Sequence, residues 1–128
     1  MNAIKGEILD FIENDELSLV SVGTTFGELK VLMLGFSQSL NAQKGTKVEL
    51  LFKENELILA QKGAKIATDN AFSGKITGIE KGKVLWQVFL KPNLSATMTA
   101  QAAKALNLSP NDEVACFVKA DDIIIRVL

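Results

Sequence analysis

Few residues in this chain of 128 are of the types that most often catalyse reactions or bind metal ions. The sequence contains no histidine and no tyrosine, and Cys116 is its only cysteine. These absences exclude a histidine-dependent triad, a histidine general base, a disulfide framework within the chain and a Cys/His zinc site. Fifteen acidic residues are present, but no spacing singles out a pair for acid–base catalysis. We therefore predict a protein that is not an enzyme and that binds no metal through side-chain ligands.

Thr99 is the residue whose position points most directly to a chemical role. It precedes an alanine-rich stretch, residues 100–106, that favours a helix. An N-cap hydroxyl accepts a hydrogen bond from a backbone N–H of the first helical turn. The same end of a helix carries partial positive charge and favours an anion. Thr99 is therefore either an ordinary cap or part of an anion site.

The elements that would position these residues occur twice, because the chain repeats itself. The first repeat is seen in two similar runs, Asn2-Ala3-Ile4-Lys5-Gly6 and Asn70-Ala71-Phe72-Ser73-Gly74. Ser39-Leu40-Asn41-Ala42 is then echoed by residues 105–108, residues 48–53 by 114–119, and residues 57–59 by 123–125. Their shared order predicts two tandem modules, 1–62 and 66–128, with a short polar join.

Within each module, apolar and polar residues mostly alternate, which is typical of strands. Three runs are each predicted to share one sheet face: Val48, Leu50 and Phe52; Val84, Trp86, Val88 and Leu90; and Val114, Cys116 and Val118. One short helix precedes the fourth strand of each module, at residues 37–41 and 99–106. We predict an all-β fold of two tandem OB-like β-barrel modules, each with about five strands and one short helix. An SH3-like barrel is the structural alternative.

Charge and hydropathy restrict the partners of the chain. Fourteen basic residues against fifteen acidic ones argue against nucleic-acid binding, which normally needs a basic surface. Trp86 and Phe89 could stack on bases in an OB-like barrel, but no basic groove accompanies them. The sequence shows neither a membrane span nor a secretory signal, so we expect no membrane insertion and a cytoplasmic location. The 48% of hydrophobic residues is high for a small chain and predicts a homo-oligomer.

The repeated motifs resemble the molbindin (TOBE/Mop) family of oxyanion-binding modules, in a tandem di-Mop arrangement. An Asn-Ala-hydrophobic-x-Gly run opens each module. The features that carry the resemblance further are Met98-Thr99-Ala100-Gln101, Ala105-Leu106-Asn107-Leu108, and Phe117-Val118-Lys119-Ala120 followed by Asp121 and residues 123–125. The resemblance covers nearly the whole chain.

This resemblance implies binding of molybdate or tungstate at module or subunit interfaces, for intracellular storage, homeostasis or regulation. It also implies a trimer or dimer of identical chains and a link to a molybdate transport system. The oxyanion is the implied ligand, and no redox cofactor is expected. The oxyanion-binding residues implied are Thr99, Lys119, Ala120, Lys53, Thr68 and Ser37. Hydroxyls, backbone N–H groups and the point charge of a lysine would bind the anion.

The sequence departs from the family pattern at several anion contacts. The family opens with Ser-Ala-Arg-Asn, whereas this chain has Ala67-Thr68-Asp69-Asn70. An acid at Asp69 repels a dianion unless its side chain points away. Ala102 also stands where the family has a second hydroxyl at the helix start. The alternative is therefore a TOBE-like oligomeric interaction or regulatory module that has lost its oxyanion site.

Overall fold

The computed structural model describes residues 1–39 and 41–128, and the first half of the chain contains five strands. These are β1 (Asn2–Asn14), β2 (Leu17–Thr24), β3 (Gly27–Leu34), β4 (Lys47–Phe52) and β5 (Ile58–Gln61). A short helix, α1 (Phe36–Ser39), precedes β4, and a 3-10 turn (Glu54–Glu56) follows it. The helix begins one residue before the predicted Ser37. Leu40, which the sequence repeat includes, lies outside the described residues.

The second half of the chain contains the same elements in the same order. Its strands are β6 (Asn70–Lys81), β7 (Leu85–Lys91), β8 (Leu94–Thr99), β9 (Glu113–Val118) and β10 (Ile124–Val127). The helix α2 (Ala100–Ala105) precedes β9, and a second 3-10 turn (Ala120–Asp122) follows it. Asn41 and Asn107, which the repeat aligns, both adopt a positive φ, as residues that end helices often do. The structure confirms the predicted all-β class and the five strands and short helix of each half.

The two sheets exchange their last strands between the halves. One sheet has the order β10-β4-β1-β2-β3 and the other β5-β9-β6-β7-β8, all in antiparallel pairs. Ile125 of the second half thus lies opposite Leu50, and Leu59 of the first half lies opposite Cys116. Each sheet is therefore completed by a strand from the other half of the chain.

The hydrophobic core extends across both halves as a continuous cluster of buried side chains. The alternation predicted from the sequence is confirmed on β4, where Val48, Leu50 and Phe52 are buried, and on β9. On β7, Trp86, Val88 and Leu90 are buried as predicted. Val84 was assigned to the same face, and this assignment is wrong: Val84 precedes the strand in the hairpin and is 73% exposed. Among the described residues, no helix is long and apolar enough to span a membrane.

Candidate functional site

A buried asparagine begins the first strand of each half, and its side chain forms hydrogen bonds with the backbone of the opposite half. Asn70 Oδ1 accepts a hydrogen bond from the Lys30 N–H at 2.6 Å, and Asn70 Nδ2 donates to the Lys30 carbonyl at 2.9 Å. Asn2 makes the equivalent pair with Ser95, at 2.8 and 2.9 Å. Both side chains are almost completely buried. The start of each half is therefore attached to the third strand of the other half.

Thr68, Lys119 and Ala120 come together at the end of β9. The Thr68 hydroxyl donates to the Val118 carbonyl at 3.5 Å, and Asn70 lies opposite Val118 in the sheet. Lys119 is the N-cap residue of the second 3-10 turn, in which Ala120 is buried. The Lys119 side chain is 64% exposed, and its Nζ lies 3.9 Å from Asp121 Oδ1. A hydroxyl and an exposed ammonium group thus lie near one edge of the sheet, which an anion can reach from solvent.

The backbone of Lys30 lies close to this edge, which the sequence analysis did not predict, whereas its ammonium group lies against β2. Its strand, β3, packs against the second 3-10 turn, and its backbone binds Asn70. The Lys30 side chain is 29% exposed, and Nζ donates to Ser21 Oγ at 2.6 Å while Glu28 lies 3.7 Å away. The sequence repeat gave no indication of Lys30, because the equivalent residue on β8 is Ser95.

Thr99 is the predicted N-cap, and its hydroxyl oxygen accepts a hydrogen bond from the Ala102 N–H at 3.1 Å. The hydroxyl proton remains available to a ligand. A groove of about 320 Å³ opens beside Thr99 and is also lined by Ala102, Asn55 and Leu57. Thr99 therefore lies close to the first 3-10 turn, which follows Lys53. Lys119 instead lies close to Thr68, at the end of β9. Since α2 has only six residues, its dipole adds little, and the hydroxyl is the main contribution.

Lys53 is exposed and stands at the N-cap of the first 3-10 turn, as Lys119 does in the second. Its backbone N–H donates to Glu56 Oε1 at 2.8 Å. The Met1 ammonium group lies 2.6 Å from Glu54 Oε1, and this hydrogen bond lowers the pKa of Glu54. The turn after Lys53 carries two acidic residues, as the turn after Lys119 does, so acidic neighbours do not distinguish the two lysines.

Ser37 lies in an unfavourable place for an anion. Its hydroxyl donates to Glu13 Oε2 at 3.1 Å, so the hydroxyl proton is already bonded to a carboxylate. Asp69, the acidic departure from the family pattern, is exposed. In the part of the chain that the structure describes, no group of three or more His, Cys, Asp or Glu side chains is placed to bind a metal ion.

Cys116 lies in the core on β9, and burial raises the pKa of its thiol to about 12. A thiol with this pKa stays protonated near pH 8, and the thiolate is the reactive form. We expect native protein at pH 8 to react with a disulfide reagent at least about a hundredfold more slowly than protein unfolded in guanidinium. A native rate equal to that of the unfolded chain would contradict the buried position.

The second half of the chain matches the model of a known protein family. Residues 66–125 match the model of the TOBE domain. The second half of the chain is thus similar to the TOBE domain. The matched residues correspond to the predicted second module and include Thr68, Thr99, Lys119 and Ala120. A search of curated protein sequences gives no match.

The fold of the whole chain is also found in a solved structure. That structure is a PEG-grown crystal form of the cytoplasmic molybdate-binding protein ModG with molybdate bound. The TM-score is 0.90 at 23% sequence identity, and the match covers 99% of this chain and 96% of the other. The likeness establishes the fold of both halves, including the half that the TOBE model does not match.

Proposed function

We propose that this protein binds molybdate, tungstate or a related tetrahedral oxyanion reversibly and without catalysis. The observation that carries the proposal is the likeness in fold, along nearly the whole length of both chains, to a protein crystallised with molybdate. The TOBE domain in residues 66–125 supports it. The role would be storage, homeostasis or regulation in the cytoplasm, in two modules at 1–62 and 66–128. We also propose that the chain assembles into a dimer or trimer and is linked to a molybdate transport system.

The proposed site is the edge formed by Thr68, Lys119 and Ala120. A tetrahedral dianion needs donors from several directions, and charged donors strengthen its hydrogen bonds. Lys119 offers an ammonium group and Ala120 a backbone N–H, and the Thr68 hydroxyl would turn its proton from the Val118 carbonyl, 3.5 Å away, to the anion. Because the Lys119 side chain is mostly exposed, a neighbouring chain can complete the site. The anion would be held through its oxygen atoms, so no redox cofactor is part of the proposal.

Thr99 and Lys53 form a second, weaker part of the proposal. Thr99 lines the groove beside the first 3-10 turn, and Lys53 is the N-cap residue of that turn. Ala102 supplies no hydroxyl there, and Lys53 is not among the residues that line the groove. We expect a lower affinity at this place than at Lys119, and Ser37 is the weakest candidate because it is bonded to Glu13.

Titration calorimetry with molybdate, tungstate, sulfate and phosphate tests the proposal. We expect heat with molybdate or tungstate, and Lys119→Ala should raise the dissociation constant about tenfold, because a charge-assisted contact is lost. Lys44→Ala is the matched control: this lysine is 70% exposed and pairs with Asp10, away from the proposed residues. The control should bind as the unmodified chain does.

Absence of heat with all four anions at about 1 mM would overturn the proposal. It would favour the alternative, a TOBE-like oligomeric interaction module without an oxyanion site. Equal losses in Lys119→Ala and Lys44→Ala would instead indicate attraction by net charge rather than a defined site.

A further inference from the structure

Two equivalent hairpins of the fold carry opposite charge. The acidic hairpin, residues 13–16, joins β1 to β2 and contains Glu13, Asp15 and Glu16. The basic hairpin, residues 81–84, joins β6 to β7 and contains Lys81 and Lys83. Their equivalence is structural as well: the carbonyl of Glu16 accepts from the Gly35 N–H, and that of Val84 accepts from the Ala100 N–H, both at 2.8 Å.

The charges of both hairpins are available to a partner. All the acidic and basic residues of these hairpins are exposed. Within residues 1–39 and 41–128, no ion pair involves Asp15, Glu16 or Lys83. Glu13 accepts only a hydroxyl hydrogen bond from Ser37, and Lys81 lies 4.9 Å from the Trp86 ring centre. Charges that form no pair within one chain can pair between chains.

An apolar surface adjoins the acidic hairpin, and the equivalent positions of the second sheet are polar except for Leu85, the counterpart of Leu17. We call it the apolar row; it consists of Ile12, Leu17, Leu19, Leu32 and Leu34, which face one another across β1, β2 and β3. Ile12 and Leu34 are 70% and 68% exposed. The positions equivalent to Ile12, Leu19 and Leu32 are Glu80, Gln87 and Thr97, so the fold itself does not require apolar residues here.

Apolar residues also adjoin the basic hairpin. Val84 and Leu85 are 73% and 53% exposed and lie directly after Lys83. Each chain therefore carries two different surfaces that combine apolar side chains with charge. One of them is acidic and the other is basic, and this complementarity favours contact between unlike surfaces.

We propose that the acidic hairpin and apolar row of one copy bind the basic hairpin of a second copy, with Val84 and Leu85 against the apolar row. Contact between two acidic hairpins would place like charges together, which opposes a symmetric pairing through this surface. The proposed contact is head-to-tail, so every copy uses both surfaces, and the assembly closes into a ring when the rotation permits. The inference concerns association between copies and does not depend on anion binding.

Light scattering on the full chain, with and without molybdate, provides the test. We expect a mass that is a multiple of 13.9 kDa in both conditions, falling towards 13.9 kDa in Leu34→Ser. Because Leu34 is exposed, this variant should keep the far-ultraviolet circular dichroism spectrum of the folded chain, so a loss of mass reports on association. Leu128→Ser is the control, since Leu128 is 60% exposed but lies outside the apolar row.

Charge reversal distinguishes head-to-tail contact from other modes. Glu16→Lys and Lys83→Glu should each raise the dissociation constant between copies about tenfold at low salt, because attraction is replaced by repulsion. The double variant should return to within about threefold of the unmodified chain, because the charges are again complementary. A monomer at about 100 µM, an assembly unaffected by Leu34→Ser, or tighter association in Glu16→Lys would each overturn the proposal.

Discussion

Asn70→Ala is expected to lower the free energy of unfolding by about 3 kcal/mol, because it leaves two backbone groups without partners. The Asn70 amide satisfies both the N–H and the carbonyl of Lys30, at 2.6 and 2.9 Å. The side chain is fully buried, so water cannot easily replace it. Denaturation with urea, followed by circular dichroism, measures the loss. A loss below about 1 kcal/mol would contradict this interpretation.

The equivalent variant and a matched control separate this contact from a general effect of losing an asparagine. Asn2→Ala removes the same pair of hydrogen bonds from Ser95 and should cost about as much. Asn93→Ala changes an exposed residue in the β7–β8 turn and should change stability by less than about 0.5 kcal/mol. Asn70→Asp keeps an acceptor for the Lys30 N–H but loses the donor, so its cost should lie near that of alanine once the buried charge is included.

The same denaturation curves bear on the proposed division at residues 62–66. Each sheet is completed by a strand from the other half, and both asparagines connect the halves. We therefore expect a single cooperative transition for the unmodified chain. Two separate transitions would indicate that residues 1–62 and 66–128 unfold independently despite the exchanged strands.

The local pattern of the sequence was sufficient to predict the elements of each half but not the exchange of strands. Alternating burial on β4 and β9 and the N-cap at Thr99 depend on neighbouring residues, which a repeat makes easier to recognise. β5 and β10 are both short, and both follow similar 3-10 turns. Nothing in either sequence specifies which sheet it joins, since that choice depends on the path of the chain after the turn.

The candidate site was partly predictable for the same reason. Thr68 and Lys119 lie on or beside paired strands of one sheet, so that register brings them together. The backbone of Lys30 lies close to this edge because Asn70 binds it across the two halves, which is a tertiary contact. The placement of Thr99 beside the first 3-10 turn also follows from the packing of β8 of one half against the turn of the other.

Gly6→Ala is expected to destabilise the protein by about 3 kcal/mol, because β1 and β2 approach too closely at this point for a side chain. An added Cβ would lie 2.6 Å from Val22 Cγ1 and 2.7 Å from the Gly23 carbonyl oxygen. The carbonyl is part of the backbone and cannot rotate away. Gly78→Ala is the control: its nearest contact would be a Phe89 carbon at 3.9 Å, so we expect a change within about 0.5 kcal/mol.

Gly74→Ala, at the equivalent position on β6, should show that the identity of the obstructing atom decides the outcome. Its added Cβ would lie 2.9 Å from the Cys116 sulfur, which is a side-chain atom. Cys116→Ala removes that atom, so the double variant with Gly74→Ala should recover at least about 1 kcal/mol relative to the sum of the single effects. Val22→Ala should rescue Gly6→Ala by less, because the Gly23 carbonyl remains in place. Equal rescue in the two cycles, measured by urea denaturation, would show that β2 can shift to accept a side chain at Gly6.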